Sequence, residues 1–357
     1  MSFNNSSRFI PVFAYSISTF FLMNFAFFIP ELVKTYHFSY IESFILLGSP
    51  FIGRAFTPFL YSNFSKIGVH RLAMLSISIM SLFSIFEAFT HAFSILLIFR
   101  LLTGIFFGLA TSAAVEVSAV SGNKILMGLT MGGWAIGWTL AAVLYTILGS
   151  VFYISLAGSV FLPSVFFSKK LNVISPHVKK YKMDFSIRAF LVFFLGFTPA
   201  YILEIVPTYL PDSSIESIIA YSIAVPVYVM IPFMINRFGI RNVAYVSISM
   251  AALSGILLFS TYNIYIAILF TAVGLGINSI LPVVSRSLNI DPKKIGPSMN
   301  FSSIIGFMIP VLITIGNVSL NSSLMLGLAL VILILFIGTN GFKISYSKNT
   351  ITRHHHN

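Results

Sequence analysis

Apolar windows of about twenty residues, bounded by charge, Pro, Asn or Gly, recur along nearly the whole chain. They predict twelve helices at 9–33, 40–63, 71–90, 93–117, 125–148, 150–168, 184–208, 214–236, 241–260, 263–286, 295–317 and 321–342. A run of this length crosses hydrocarbon as a helix, because each backbone polar group is satisfied within the segment. The alternation that barrel strands require is absent, so the pattern predicts an all-α integral membrane protein. The fifth and sixth windows are nearly fused, with Gly149-Ser150 as the only turn between them. The first run, Arg8 to Val33, is long for the apolar part of a secretory leader and lacks a small-residue cleavage site, so it reads as the first span.

Composition agrees with this pattern. Hydrophobic residues make up 57% of the chain and charged residues 8%, against about 25% charged in soluble domains. The absence of cysteine excludes disulfides and thiol catalysis. A net charge of +12 would suit a nucleic-acid partner, but the placement of the charges explains it better. Seventeen of the twenty-one Lys and Arg residues fall on one side of a twelve-span chain, from Arg8, Lys66, Arg71 and Lys124 through Lys169–Lys182 to Arg237, Arg241, Arg286 and the C-terminal region. Lys34 falls opposite, and Arg54, Arg100 and Arg188 lie within spans. Retention of positive charge in cytoplasmic loops then puts both termini in the cytoplasm of a cell whose plasma membrane the chain crosses. Nucleic acid is not expected as a partner; anionic lipid headgroups are, along the basic face. His354-His355-His356 in the tail is assigned no function.

The chain also repeats itself. Glu31-Leu32-Val33-Lys34-Thr35-Tyr36 with Ile41-Glu42-Ser43 is echoed by Glu204-Ile205-Val206-Pro207-Thr208-Tyr209 with Ile215-Glu216-Ser217, at offsets of 173 and 174 residues. Ser65-Lys66-Ile67-Gly68-Val69-His70-Arg71 returns at an offset of 171 as Asn236-Arg237-Phe238-Gly239-Ile240-Arg241. The expected organisation is an N-terminal six-helix bundle (1–167), a basic cytoplasmic linker (168–183), a C-terminal six-helix bundle (184–343) and a tail (344–357). Six spans per repeat insert both halves in the same orientation, as parallel repeats about an axis normal to the membrane.

These residues resemble the major facilitator superfamily, whose members carry a Gly-x-x-x-Asp-Arg-x-Gly-Arg-Arg loop between helices two and three and again between eight and nine. Here the loops read Tyr61-x-x-x-Ser65-Lys66-Ile67-Gly68-Val69-His70-Arg71 and Pro232-x-x-x-Asn236-Arg237-Phe238-Gly239-Ile240-Arg241. Only the basic-x-Gly core is kept, since the leading Gly is missing and Ser65 and Asn236 replace the Asp. Arg100-x-x-x-Gly104-x-x-x-Gly108 is similar to the family's fourth helix. Gly128, Gly132, Gly133 and Gly137 resemble its glycine-rich fifth, with Gly137-Trp138 where the antiporter branch has Gly-Pro. The resemblance implies two pseudo-symmetric six-helix bundles with a solute site between them, and a cytoplasmic gate at the repeated loops. The gate is expected from Lys66, Arg71, Arg237 and Arg241 acting on Glu116 or on helix C-terminal carbonyls, with Ser65 and Asn236 able to cap a helix N-terminus and Gly68 and Gly239 of the kept basic-x-Gly core counted with it.

Ionisable groups inside a bilayer need a partner, water or a task. At about 1.5 Å rise per residue, Arg54 lies about 20 Å and Arg100 about 10 Å into their helices, and neither has a carboxylate one turn away. Both are candidates for solute binding, as are Asn24, Tyr201, Asn278, Asn300 and the two tryptophans, Trp134 and Trp138. Two buried arginines without a midplane acid suit an anionic or polar organic solute. Interhelical hydrogen bonding would explain the asparagines equally well. Glu31 and Glu204, at the outer ends of the first and seventh helices, are candidates for coupling or an outer gate, with a proton as the coupling ion. Glu42 and Glu216 read as helix N-terminal caps. Gly196, Pro199, Gly274, Gly276, Gly306 and Pro310 read as hinges or close packing.

No ATP-binding loop occurs, and His37, His70, His91 and His177 are all expected in loops, so neither an ATPase nor an intramembrane enzyme is expected. No cofactor or metal is implied. The expected activity is secondary transport of a small organic solute by alternating access, coupled to protons or uncoupled, by a monomer. A receptor without flux is the remaining alternative.

Overall fold

The first apolar window folds as a broken helix. In the computed structural model, which describes residues 5–167, 183–194, 213–239, 242–243, 246–247, 249–250 and 272–304, α1 (Asn5–Met23) passes through a 3-10 stretch, Asn24–Phe28, into α2 (Ile29–Lys34). Pro30 sits in the first turn of α2, where its missing N–H costs nothing.

The second window bends by 55° between α3 (Tyr40–Ala55) and α4 (Thr57–Phe64). Proline is the cause. Pro58 has no N–H for the Arg54 carbonyl four residues back, and the Thr57 hydroxyl takes that carbonyl instead, at 2.6 Å. The bend therefore falls beside Arg54. At the other end of α3, Ser39 and Glu42 form a reciprocal capping box, the role expected of Glu42.

Three long helices follow, α5 (Val69–Phe89), α6 (Phe93–Ser121) and α7 (Lys124–Leu148). Gly149, at φ 65°, ends α7, and Ser150 caps the next helix, so the predicted turn is present. The window at 150–168 is not one continuous helix. It divides into α8 (Val151–Ala157), a 3-10 turn at Gly158–Phe161, and α9 (Ser164–Phe167). Beyond it, residues 187–194 are helical, followed by α10 (Ser213–Phe238), α11 (Ile277–Ser287) and α12 (Pro292–Ser302). All regular structure among the described residues is helical. Among the described residues five helices are long and apolar enough to cross a membrane, or six with the bent α3–α4 pair counted as one span. The linker, the tail and the window at 321–342 lie outside the described residues, as do parts of those at 184–208, 241–260, 263–286 and 295–317.

Glycines set how closely the helices approach. A Cβ on Gly104 of α6 would stand 2.0 Å from the Pro50 carbonyl oxygen of α3, and one on Gly53 would stand 2.1 Å from the Leu101 carbonyl. Gly133 and Gly137 bring α7 against Tyr15, Ser16 and Thr19 of α1, while Gly128 and Gly132 bring its other face against Tyr228 and Pro232 of α10. Gly296 puts α12 against Ser112 of α6. The glycine patterns of the fourth and fifth windows are thus seams between backbones. The glycines of the two repeated loops share a positive φ: Gly68 and Gly239 have φ of +99° and +79°, a region open to glycine and costly for other residues.

Candidate functional site

Arg54 is 1% exposed, and the bend between α3 and α4 sets it where α6, α7 and α12 converge. Its Nε donates to Asn300 Oδ1 at 3.0 Å. The guanidinium lies over the Phe107 ring at 4.4 Å, with the rings of Phe51 and Trp134 at 5.5 and 5.8 Å. Such faces attract a cation through the ring quadrupole. Its Nη1 is buried and has no hydrogen-bond partner among the described residues, and the same holds for the indole N–H of Trp134.

Asn300 holds the site together. Its amide nitrogen lies 3.0 Å from Gly108 O, 2.9 Å from Ser112 Oγ and 3.1 Å from Thr111 Oγ1, all on α6. This reach depends on the close approach at Gly296. One asparagine from the second half of the chain thereby fixes an arginine from the first half through a fully buried hydrogen bond. Next to it, Tyr15 of α1 packs edge-to-face on Phe107 and points its hydroxyl at Met299 Sδ, 3.8 Å away.

Of the residues expected to bind a solute, Arg54, Trp134 and Asn300 come together. Trp138, one turn along α7, stacks on Tyr221 of α10 at 4.8 Å and 4° and meets Phe27 edge-to-face; its indole N–H has no partner among the described residues. Asn24 lies in the 3-10 break, 1% exposed, and neither amide atom has a partner among the described residues. Asn278 is a separate element, donating to the Tyr228 hydroxyl at 3.0 Å. Tyr201 lies outside the described residues. The aromatic walls Phe51 and Phe107 and the neighbouring Tyr15 and Tyr221 were not singled out, because in a chain with 38 Phe and 15 Tyr no spacing marks them.

Arg100 has a different position from the one expected. Its Nη1 and Nη2 donate to the carbonyls of Phe21 and Leu22 at 3.1 and 2.6 Å, and Nε reaches Leu46 O at 3.4 Å. The first two carbonyls belong to the last turn of α1, which the 3-10 break leaves without α-helical donors. The third is freed by Pro50, four residues on. Arg100 therefore ties all three of its nitrogens to backbone carbonyls, two at the break after α1 and one freed by Pro50 within α3. It also feels the charge of Glu87 on α5, a carboxylate 4% exposed that the sequence reading passed over.

The outer and inner ends need similar correction. Glu31 Oε2 accepts the Val151 N–H at 2.8 Å, capping α8 at its positive end. The Tyr36 phenol, stacked on His91 at 4.0 Å, is raised by burial and by the Glu31 carboxylate. We expect Glu31→Gln to lower stability by about 0.3–1 kcal/mol, the value of such a cap, measurable as a small fall in melting temperature. Loss of fold would contradict the capping assignment. Glu204 lies outside the described residues, as does the side chain of Glu216.

At the repeated loops, Glu116 is held by the Tyr61 hydroxyl at 2.7 Å, within the fields of Lys293, Asp291 and Asp184. Among the described residues no basic side chain of either loop is hydrogen-bonded to it. Ser65 reaches only Ser62 O, at 3.5 Å, and α5 starts at Gly68 without a side-chain cap. Asn236 accepts from Lys124 at 2.5 Å, joining the first-half loop before α7 to α10. Lys66 is 3.4 Å from Asn63, Arg71 is exposed, Arg237 lies over Phe238, and Arg241 is outside the described residues. The contact across the halves is made instead by Lys124–Asn236 and by the Asp184 N–H on Pro58 O at 3.0 Å, with the ion pair Lys293–Asp184 at 3.8 Å beside it. His70 is also corrected: it is the second residue of α5, 2% exposed, not in a loop. Among the described residues no cluster of His, Cys, Asp or Glu could hold a metal.

No protein-family model matches the chain, and no curated protein is significantly similar to it in sequence.

Proposed function

We propose that this chain is a secondary transporter of the major facilitator type, with twelve spans in two six-helix bundles, moving a small organic solute by alternating access through the site built on Arg54. One observation carries the reading. A buried guanidinium from the first half is fixed by an asparagine from the second, and among the described residues its Nη1 and the neighbouring Trp134 indole N–H have no partner. A purely structural arginine spends its donors, as Arg100 does. The internal sequence repeat and the matched positive-φ glycines support two similar halves. Contacts such as Lys124–Asn236 would have to break if the halves rock.

On this reading both termini are cytoplasmic in a plasma membrane, basic loops meet anionic headgroups, and the working unit is a monomer. A proton is the candidate coupling ion. The bonding of Glu31 to Val151 favours the second version, an uncoupled facilitator, over coupling through Glu31.

The test is uptake into proteoliposomes of sugars, amino acids, carboxylates and cationic dyes, with and without an inward proton gradient. Arg54→Gln should lower uptake of the active solute about tenfold or more, in line with one lost charge-assisted hydrogen bond. Uptake that tolerates Arg54→Gln would remove the site from the pathway, and a protein that moves no member of the panel would not be a transporter of this kind.

A further inference from the structure

We infer that the Arg54 site takes a monoanion, a single carboxylate carried on a flat apolar body such as an aromatic or conjugated acid. The inference rests on the reading of this site as the solute site, and deepens it to a substrate class.

The charge comes first. Arg54 is 1% exposed, with Nε committed to Asn300 and Nη1 unpartnered among the described residues. A buried cationic N–H edge is matched by an anionic oxygen, which forms a shorter and stronger hydrogen bond than a neutral acceptor does. Among the described residues the only ion pair within 4 Å is Lys293–Asp184, so no carboxylate of the described chain already fills this place.

The number of charges follows from Arg100. It is the other fully buried arginine among the described residues, and all three of its nitrogens are committed to the carbonyls of Leu46, Phe21 and Leu22. A second carboxylate would therefore enter without a guanidinium to meet it, and an ionised group without a partner is costly in a buried setting.

The remaining partners describe the rest of the solute. The second orphan next to Arg54 is the Trp134 indole N–H, which can only donate. Two donors and a cation select a head that only accepts, as an ionised carboxylate does, and an ammonium would be set against the guanidinium. Phe51, Phe107 and Trp134 supply aromatic walls around the same guanidinium. One turn along α7, Trp138 is stacked on Tyr221. Flat rings stack on such walls, whereas a sugar would bring hydroxyl donors that these residues cannot accept.

The chain reports on itself, because its only tryptophans, Trp134 and Trp138, both lie here. The purified full chain is titrated with benzoate, benzamide, benzylammonium and phthalate, reading tryptophan emission. Benzoate should give a saturable change and bind at least about tenfold more tightly than benzamide or benzylammonium, the margin of one charge-assisted contact. Phthalate should bind more weakly than benzoate. Arg54→Gln should remove the preference for benzoate over benzamide, and Arg54→Lys should restore it only in part, since an ammonium lacks the planar fork. The comparison among ligands on the unmodified chain stands even where a variant fails to fold. Benzamide or benzylammonium binding as well as benzoate, phthalate binding more tightly, or no saturable response to benzoate would each overturn the inference. Saturable benzoate binding without benzoate uptake would leave the inference standing and overturn the transport reading. Uptake of a neutral solute with no response to benzoate would do the reverse.

Discussion

Arg100→Met is expected to destabilise the folded protein by about 3–5 kcal/mol, the cost of breaking a buried charged network from one side. Methionine keeps much of the length and apolar stem, so packing loss is small. What it removes is the donor set. The carbonyls of Phe21, Leu22 and Leu46 lose the bonds that Arg100 makes, and two of those carbonyls stand at the end of α1 while the third faces Pro50. In water these groups would be hydrated; in a buried seam each unsatisfied one costs about 1–3 kcal/mol. The same change strips Glu87 of its counter-charge, and Glu87 Oε1 already has no hydrogen-bond partner among the described residues. Glu87→Gln added to Arg100→Met should therefore recover part of the loss, a coupling that independent sites would not give. Arg54→Met is the comparison, since it removes one hydrogen bond and should cost less. Thermal unfolding of the purified variants in detergent measures all three. An Arg100→Met protein melting within about 2 °C of the parent would show that the clamp contributes little.

Arg100 also shows how far the sequence could be read. Its depth in an apolar window marked it as a residue needing a partner, and that was right. The partner was not legible, because it consists of backbone carbonyls whose availability depends on two irregularities in other helices, a break after α1 and a proline within α3. One of them, the 3-10 stretch at Asn24–Phe28, carries no proline of its own. Arg54 looked the same from the sequence and came out differently, since the Pro58 bend sets it against α12. The windows at 9–33, 40–63, 71–90, 93–117, 125–148 and 214–236 were legible as helices, as were the Gly149-Ser150 turn and the Glu42 cap, since each rests on a local rule. The Tyr61 hydroxyl on Glu116 was not legible for a long-range reason: Tyr61, which opens the first loop pattern, meets α6 only once the helices pack. Glu87 was passed over because one acid near the end of an apolar window looks interfacial, and only the packing of α5 on α6 buries it.

Gly104→Ala is expected to be the other severe change, though it adds a single methyl group. The new Cβ would lie 2.0 Å from the Pro50 carbonyl oxygen and 2.6 Å from its carbonyl carbon and Cα. All three atoms are backbone, so no side chain can turn aside; α6 and α3 must separate. Overpacking of this kind costs about 1–3 kcal/mol where neighbours can give, and this site belongs at or above the upper end. The separation also reaches the candidate site. One turn on, Gly108 rests against the Thr57 hydroxyl that holds the Arg54 carbonyl at the bend, so moving the helices shifts Phe107 and Thr111 relative to the guanidinium. Gly132→Ala is the matched control: its Cβ would meet the Tyr228 side chain no closer than 3.1 Å, which a slight shift accommodates. Melting temperatures of the two variants should therefore separate clearly, with Gly104→Ala well below the parent and Gly132→Ala close to it. Tryptophan emission should change in Gly104→Ala, because Trp134 of α7 packs edge-on against Phe107, which moves with α6. Equal melting of the two variants would mean that α3 and α6 are held less tightly than their backbone contact implies, and the Arg54 site would then have to be positioned by Asn300 alone.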